Sequence, residues 1–334
     1  MPDDMTKVLN RITFVPRAAA LSPIPWPEGL APRAAQTALG DDGSLPAADV
    51  LVITWTAAEA MALADVLTPG VASAAWTHYV KDFAAYEDQL TSRSPAREAK
   101  RLGEFHMAAI AGLTVCCFHS QLHPATDGPS LPAAAMAAQI AGDTGARLVI
   151  TTGTAGAVGA GTVLGDANVA TAIRSDCTTR LAGHPWSQEL WATTALSDGQ
   201  QKMLAAGVLT PLFAANSGQL PKEYAPRAPE ITYGHTCGTD FFCIGTADDH
   251  YGLLKLDAAT DVVEMDDFAI AFGLLASAGA PMLASVRNCS DPVMASASAA
   301  QLKLAEQLYE SYGFATTASS AICCWALIAG LAQG

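Results

Sequence analysis

Charge is what this 334-residue sequence most lacks: Asp, Glu, Lys and Arg make up 15% of it, against the usual quarter. Cations are the scarcer sign, with 18 Lys and Arg against 32 Asp and Glu and a formal net charge of −14. A nucleic-acid surface needs clustered Lys and Arg to displace counterions. The nearest approach, Arg93 to Arg101, holds four basic residues with Glu98 among them. Nucleic acid is therefore excluded as a partner, and a small neutral ligand suits the chain better than a polyanion. No CxxC pair and no Cys/His cluster at zinc spacing occurs among the eight cysteines, so no metal site is expected and the thiols read as buried and reduced. The start, MPDDMTKVLNR, lacks a basic-then-apolar leader, so no signal peptide is expected. The longest apolar run, Ala321 to Ala332, is shorter than the about 20 residues a bilayer span needs. These absences lead us to expect a cytoplasmic protein with no membrane partner. Neither G-x-G-x-x-G nor G-x-S-x-G is present, which argues against a dinucleotide fold and a serine nucleophile elbow.

Hydrophobic residues, at 51%, are ample for a large core. Residues 1 to 47 are rich in Pro and Ala, as in PRAAALSPIPWPEGLAPRAA. Proline at that density rules out a regular helix or central strand. The reading is an extended arm at 1–47, with Phe14 and Trp26 seeking burial, followed by one domain at 48–334. Within the domain, VLVITW (50–55) has the β-branched apolar character of a buried parallel strand. A helix at 57–67 follows, stopped by Pro69-Gly70. EFHMAAI and LTVCCFHS form a hairpin around Gly112, and 131–145 is a helix closed by glycine. Residues 146–161 read as a strand entering a glycine-rich turn, and 166–173, 238–246 and 281–292 as further strands. The segment 261–279 begins extended and becomes helical; other helices are expected at 187–205, 297–311 and 318–332. Alternating strands and helices predict an α/β fold, three layers (α/β/α) around a mixed, twisted sheet, with the ligand beyond the carboxyl ends of the strands.

Four stretches end a strand on small or acidic residues, ITWTAAE, VITTGTAG, VVEMDD and ASVRNCSD, and four motifs, in order along the chain, carry a resemblance. They are Gly153-Thr154-Ala155-Gly156 followed by Gly165-Asp166, then Gly238-Thr239-Asp240-Phe241-Phe242, Val263-Glu264-Met265-Asp266, and Arg287-Asn288-Cys289-Ser290-Asp291. This series resembles the nucleoside phosphorylase/uridine phosphorylase superfamily, and most of all its methylthioadenosine/S-adenosylhomocysteine nucleosidase branch. The resemblance implies cleavage of the bond between base and ribose in a purine-type nucleoside, in a dimer or larger homo-oligomer, with no metal or organic cofactor. Phosphate would be a cosubstrate only if the reaction were phosphorolytic.

By that resemblance Asp291 is the general acid that protonates the leaving base, a task a carboxyl performs well when burial raises its pKa, with Ser290 and Arg287 orienting it. Glu264, Met265 and Asp266 hold the ribose; Asp266 is one methylene shorter than the family's glutamate, and Asp267 is a possible stand-in. Phe242 and Cys243 contact the base together with Ser290, while Thr154 and the amides of Ala155 and Gly156 meet the water or phosphate. Glu59 stands where nucleosidases carry the glutamate that activates water. Arginines that would clamp phosphate are missing before the glycine motif, at Thr151-Thr152, and in the first loop, at 57–61; Arg101 or Arg174 would have to approach from elsewhere. This tips the reading from phosphorolysis to hydrolysis. A non-catalytic nucleoside-binding protein on the same fold is the remaining alternative. His119 and His123 flank a polar loop without a third ligand that would make it a metal site, and a histidine that often completes family sites from a partner subunit could not be chosen.

Overall fold

Alternation in the run from Val50 sends Val50 and Val52 to one side and Leu51 and Ile53 to the other, each into its own core, as a strand's period of two requires. The computed structural model describes residues 7, 9, 11–13, 20–275 and 279–334. Its strands are β1 (Arg33–Ala34), β2 (Val50–Thr54), β3 (Thr77–Tyr79), β4 (Gly103–Ile110), β5 (Leu113–Ser120), β6 (Leu148–Ala157), β7 (Ala167–Val169), β8 (Ala172–Asp176), β9 (Leu190–Ala192), β10 (Ile231–Thr232), β11 (His235–Thr239), β12 (Thr260–Glu264) and β13 (Met282–Asp291). They form one mixed sheet in the order β1-β4-β5-β2-β6-β12-β11-β8-β9, with β13 also on β6, β7 on β13 and β10 on β7. β7 and β8 follow one another along the chain, so β6, β13, β7/β8, β11 and β12 close into a ring. One face carries the helices Pro132–Thr144 and Asp267–Leu275; the other carries Ala57–Leu67, Ala206–Ser217 and Ala299–Leu331. The expected three-layer α/β/α arrangement is thus present.

The crossing of strands at β6 positions the site. β2 and β13 run parallel to β6, whereas β12 runs antiparallel and sets Val263 opposite Gly156. The carboxyl ends of β6, β12 and β13 therefore meet.

Several elements differ from the sequence reading. The glycine motif at 153–156 is part of β6 rather than a turn. The segment 166–173 breaks into β7 and β8, and 238–246 leaves the sheet after Thr239. In place of a helix at 187–205 there is β9 and then helices Asp198–Met203 and Ala206–Ser217, the first started by a Ser197/Gln200 capping box. The two C-terminal helices are one, Ala299–Leu331. The intervening residues 312–317 are helical as well: the Thr316 and Thr317 hydroxyls both donate to the Gly313 carbonyl, at 3.1 and 2.7 Å, and burial carries the helix through. That helix is long and apolar enough to cross a membrane, yet 89% of its most apolar window is buried inside the protein.

In the arm, residues 20–47 form no helix; β1 pairs with β4 and Trp26 packs on Trp325 at 4.7 Å between ring centroids. Residues 11–13 are helical, a departure explained by the absence of proline between Pro2 and Pro16. Phe14 and the 276–278 end of the expected 261–279 segment lie outside the described residues. All eight cysteines are buried and free.

Candidate active site

Glu59 enters the site through a helix start. Thr56 is the N-cap of Ala57–Leu67 and forms a capping box with Glu59. One Glu59 oxygen, Oε2, accepts from Thr54 Oγ1 (3.0 Å), Trp55 N (3.1 Å) and Thr56 N (2.9 Å). The other, Oε1, accepts from both the amide (2.8 Å) and the hydroxyl (2.7 Å) of Thr154. Burial pushes the Glu59 pKa up, but the Arg287 guanidinium and the Thr154 and Thr56 donors outweigh it and hold it below the ordinary range. Glu59 is an anion.

The glycine motif explains itself at this point. A Cβ on Gly153 would lie 2.6 Å from Glu59 Cδ, and one on Gly156 would lie 2.7 Å from Asp291 Oδ2. Each glycine makes room for one carboxylate, and β6 carries the two three residues apart.

At the end of β12, Glu264 Oε2 accepts the Asp266 and Asp267 amides (2.6 and 3.0 Å) and lies 2.9 Å from Arg287 Nη2. Asp266 is buried, and its Oδ1 has no hydrogen bond of good geometry among the described residues, although His123 Nε2 stands 3.3 Å away. Burial raises the pKa of both acids. Asp267 reinforces the rise at Glu264, which reaches about 8, and Glu264 reinforces it at Asp266, which lies well above the carboxylate range. The shared proton belongs on Asp266, because Glu264 already has a cation and two amides.

Two sequence expectations need correction, on Arg287 and Asp267, and the acid of the third motif, Asp240, has a structural place. Arg287 does not touch Asp291: its guanidinium pairs with Asp267 and Glu264 and lies 4.8 Å over the Trp55 ring, so it braces the acidic cluster rather than the proposed acid. Asp267 has no free oxygen to offer a sugar, since it also accepts from Ser285 Oγ at 2.6 Å. Asp240 accepts the amides of Thr178, Thr179 and Leu181 and ties down that loop.

Ser290 Oγ does reach Asp291 Oδ1, at 2.8 Å, and also lies 3.3 Å from the Ala155 carbonyl. A cavity of about 40 Å³ brings together Thr56, Glu59, His123, Thr154, Thr239, Phe242, Cys243, Val263, Glu264, Met265, Asp266 and Arg11. Asp291 stands behind Arg11, whose Nη2 is 3.1 Å from its Oδ1. Neither Arg101 nor Arg174 reaches the lining; Arg101 pairs with Glu104.

Sequence reasoning missed Arg11, and it set His123 aside after weighing it only as a metal ligand. The His123 ring takes the Ala125 amide on Nδ1 at 3.2 Å, which leaves its proton on Nε2, toward Asp266. Burial lowers its pKa to about 3, so the ring is neutral. His119 is spent elsewhere, between Glu104 and the Trp55 carbonyl.

Comparison with known proteins places the architecture. The fold matches 5′-methylthioadenosine/S-adenosylhomocysteine nucleosidase from Neisseria meningitidis (16% identity, TM-score 0.50, 84% of this chain and 98% of that one). It matches the Helicobacter pylori nucleosidase of the same name (13%, TM-score 0.54, 84% and 98%) and H. pylori futalosine hydrolase (12%, TM-score 0.52, 84% and 96%). At these identities the likeness is one of fold, and no curated protein matches the sequence. A family model, that of the phosphorylase superfamily, matches residues 71–322; the chain belongs to the phosphorylase superfamily.

Proposed function

We propose that this protein is a nucleosidase that hydrolyses the N-ribosyl bond of a purine-type nucleoside. The observation that carries the reading is the Glu59 carboxylate on Thr154, across the lined cavity from the acids of β12 and with Asp291 nearby on β13. In a phosphorylase the same corner would receive phosphate, and a phosphate dianion would there meet the buried Glu59 anion; among the described residues the one Lys or Arg in the cavity lining is Arg11, which is turned to Asp291, while Arg287 is engaged by Asp267 and Glu264. Water suits the corner better, because Glu59 accepts its proton as the oxygen attacks C1′. The C1′–N bond breaks with its electrons passing to the base, and Asp291 supplies the proton the base takes up. Asp266, Glu264 and Met265 receive the ribose, and Phe242 stacks on the base. His123 Nε2–H steers the short Asp266 side chain. The structural relatives named as nucleosidases and as futalosine hydrolase are consistent with hydrolysis.

The test is base release from inosine, adenosine, methylthioadenosine, S-adenosylhomocysteine and uridine, with and without phosphate. Release of a purine base in phosphate-free buffer is expected. Release that requires phosphate would move the protein to the phosphorylases, and tight binding without turnover would make it a nucleoside-binding protein.

A further inference from the structure

The place a base would occupy is already filled by the chain itself. Arg11 lies with its guanidinium carbon 4.7 Å from the Phe242 ring centroid and 4.9 Å from that of Tyr309, and its Nη2 is on Asp291. Tyr309 also donates its hydroxyl to the Arg11 carbonyl at 2.7 Å. Next to it Ile12 is buried in a cluster with Phe242, Met294 and Leu308. A planar, delocalised cation stacked on an aromatic face and paired with a carboxylate thus uses both groups that a protonated purine would need.

The remaining space fits no nucleoside. The cavity is about 40 Å³, whereas small-molecule sites are about 300–1,000 Å³. The Arg11 pair also occupies Asp291 Oδ1, an oxygen that no base can reach while the guanidinium is on it. Arg11 is not anchored like the buried Arg287: its side chain is 16% exposed and its buried Nε has no hydrogen-bond partner among the described residues. A group left unsatisfied in that way is the easier to displace.

We infer that the base subsite is a site for planar, protonated nitrogen groups, and that Arg11 is its resident self-ligand, which a nucleoside must displace to bind. The inference rests on the base-subsite assignment above. A competing internal ligand lowers apparent affinity by the fraction of molecules in which the site is empty. Removing it therefore lowers KM and leaves the chemical step in place.

The experiment compares the wild-type chain with Arg11→Ala and Arg11→Met, the second keeping the packing volume without the charge. Two readouts are taken: calorimetric binding of adenine and hypoxanthine, and steady-state nucleoside cleavage. Both variants are expected to bind base about tenfold or more tightly than wild type and to show a correspondingly lower KM with kcat within about twofold. Weaker base binding, unchanged binding, or a raised KM in both variants would make Arg11 a substrate contact or a structural residue and overturn the inference; so would undetectable base binding in all three proteins. Tighter base binding without cleavage of any nucleoside would leave the inference standing and sink the hydrolase reading instead.

Discussion

Thr154 gives both of its donors to one oxygen of Glu59, the amide at 2.8 Å and the hydroxyl at 2.7 Å. This pair links the helix that follows β2 to the glycine motif, 95 residues on, and it helps keep Glu59 ionised. Thr154→Val deletes the hydroxyl and keeps the shape. Loss of one donor raises the Glu59 pKa, so the acidic limb of kcat/KM is expected to move to higher pH, with a stability loss of about 1–3 kcal/mol. Thr154→Ser should restore both. A pH profile that superimposes on wild type would remove Glu59 as the base.

The two motif glycines predict separable defects. Gly153→Ala drives a methyl into Glu59 and Gly156→Ala drives one into Asp291, each at a cost of about 1–3 kcal/mol as overpacking. Denaturant unfolding should show both losses. Turnover should fall in both, and the Gly153→Ala profile alone should lose its acidic limb in the normal place. Full stability in either variant would contradict the close approach.

His123 is buried neutral, with its pKa lowered to about 3 by burial foremost. The unfolded chain takes up a proton near the ordinary value of about 6.5 while the folded chain does not. The stability His123 contributes is therefore complete above about pH 6.5 and drains away as pH falls toward about 3. His123→Asn should lose less stability on acidification than wild type, measured by chemical denaturation, and should raise KM more than it lowers kcat if Nε2–H steers Asp266. An identical acid profile would contradict the neutral ring.

The Glu264–Asp266 pair has the opposite sign. Both folded pKa values are raised, by burial first and then by the neighbouring acids. The stability gained from holding the pair's shared proton is full below the unfolded carboxylate range and lost as pH rises through about 8 and above. Asp266→Asn should flatten that alkaline decline between about pH 6 and about pH 9. A decline as steep as in wild type would place the proton elsewhere.

Much of the fold was legible because it is written locally. The β-branched run at 50–55, the capped helix at 57–67 and the alanine-rich helix at 131–145 are where periodicity and caps put them. The acids at the ends of β12 and β13 were legible for a different reason, as strand ends that stop on carboxylates. What was not legible depends on contacts between distant residues. Arg11 and Asp291 are 280 positions apart, and nothing in NRIT announces the pair. The continuous helix through Gly313 and Thr316-Thr317 is tertiary burial overriding local propensity. Arg287 was read toward its sequence neighbour Asp291, but strand β13 turns it to Asp267 and the Trp55 ring instead.

The central claim is that Asp291 hands a proton to a departing purine while water attacks the sugar. Its most direct measurement is kcat of Asp291→Asn on the best purine nucleoside, with phosphate omitted and folding verified by denaturant midpoint. Proton donation contributes about 10²–10⁴-fold, and a loss of that size in kcat at near-native stability is the predicted result. An asparagine variant that turns over at the wild-type rate would contradict the account.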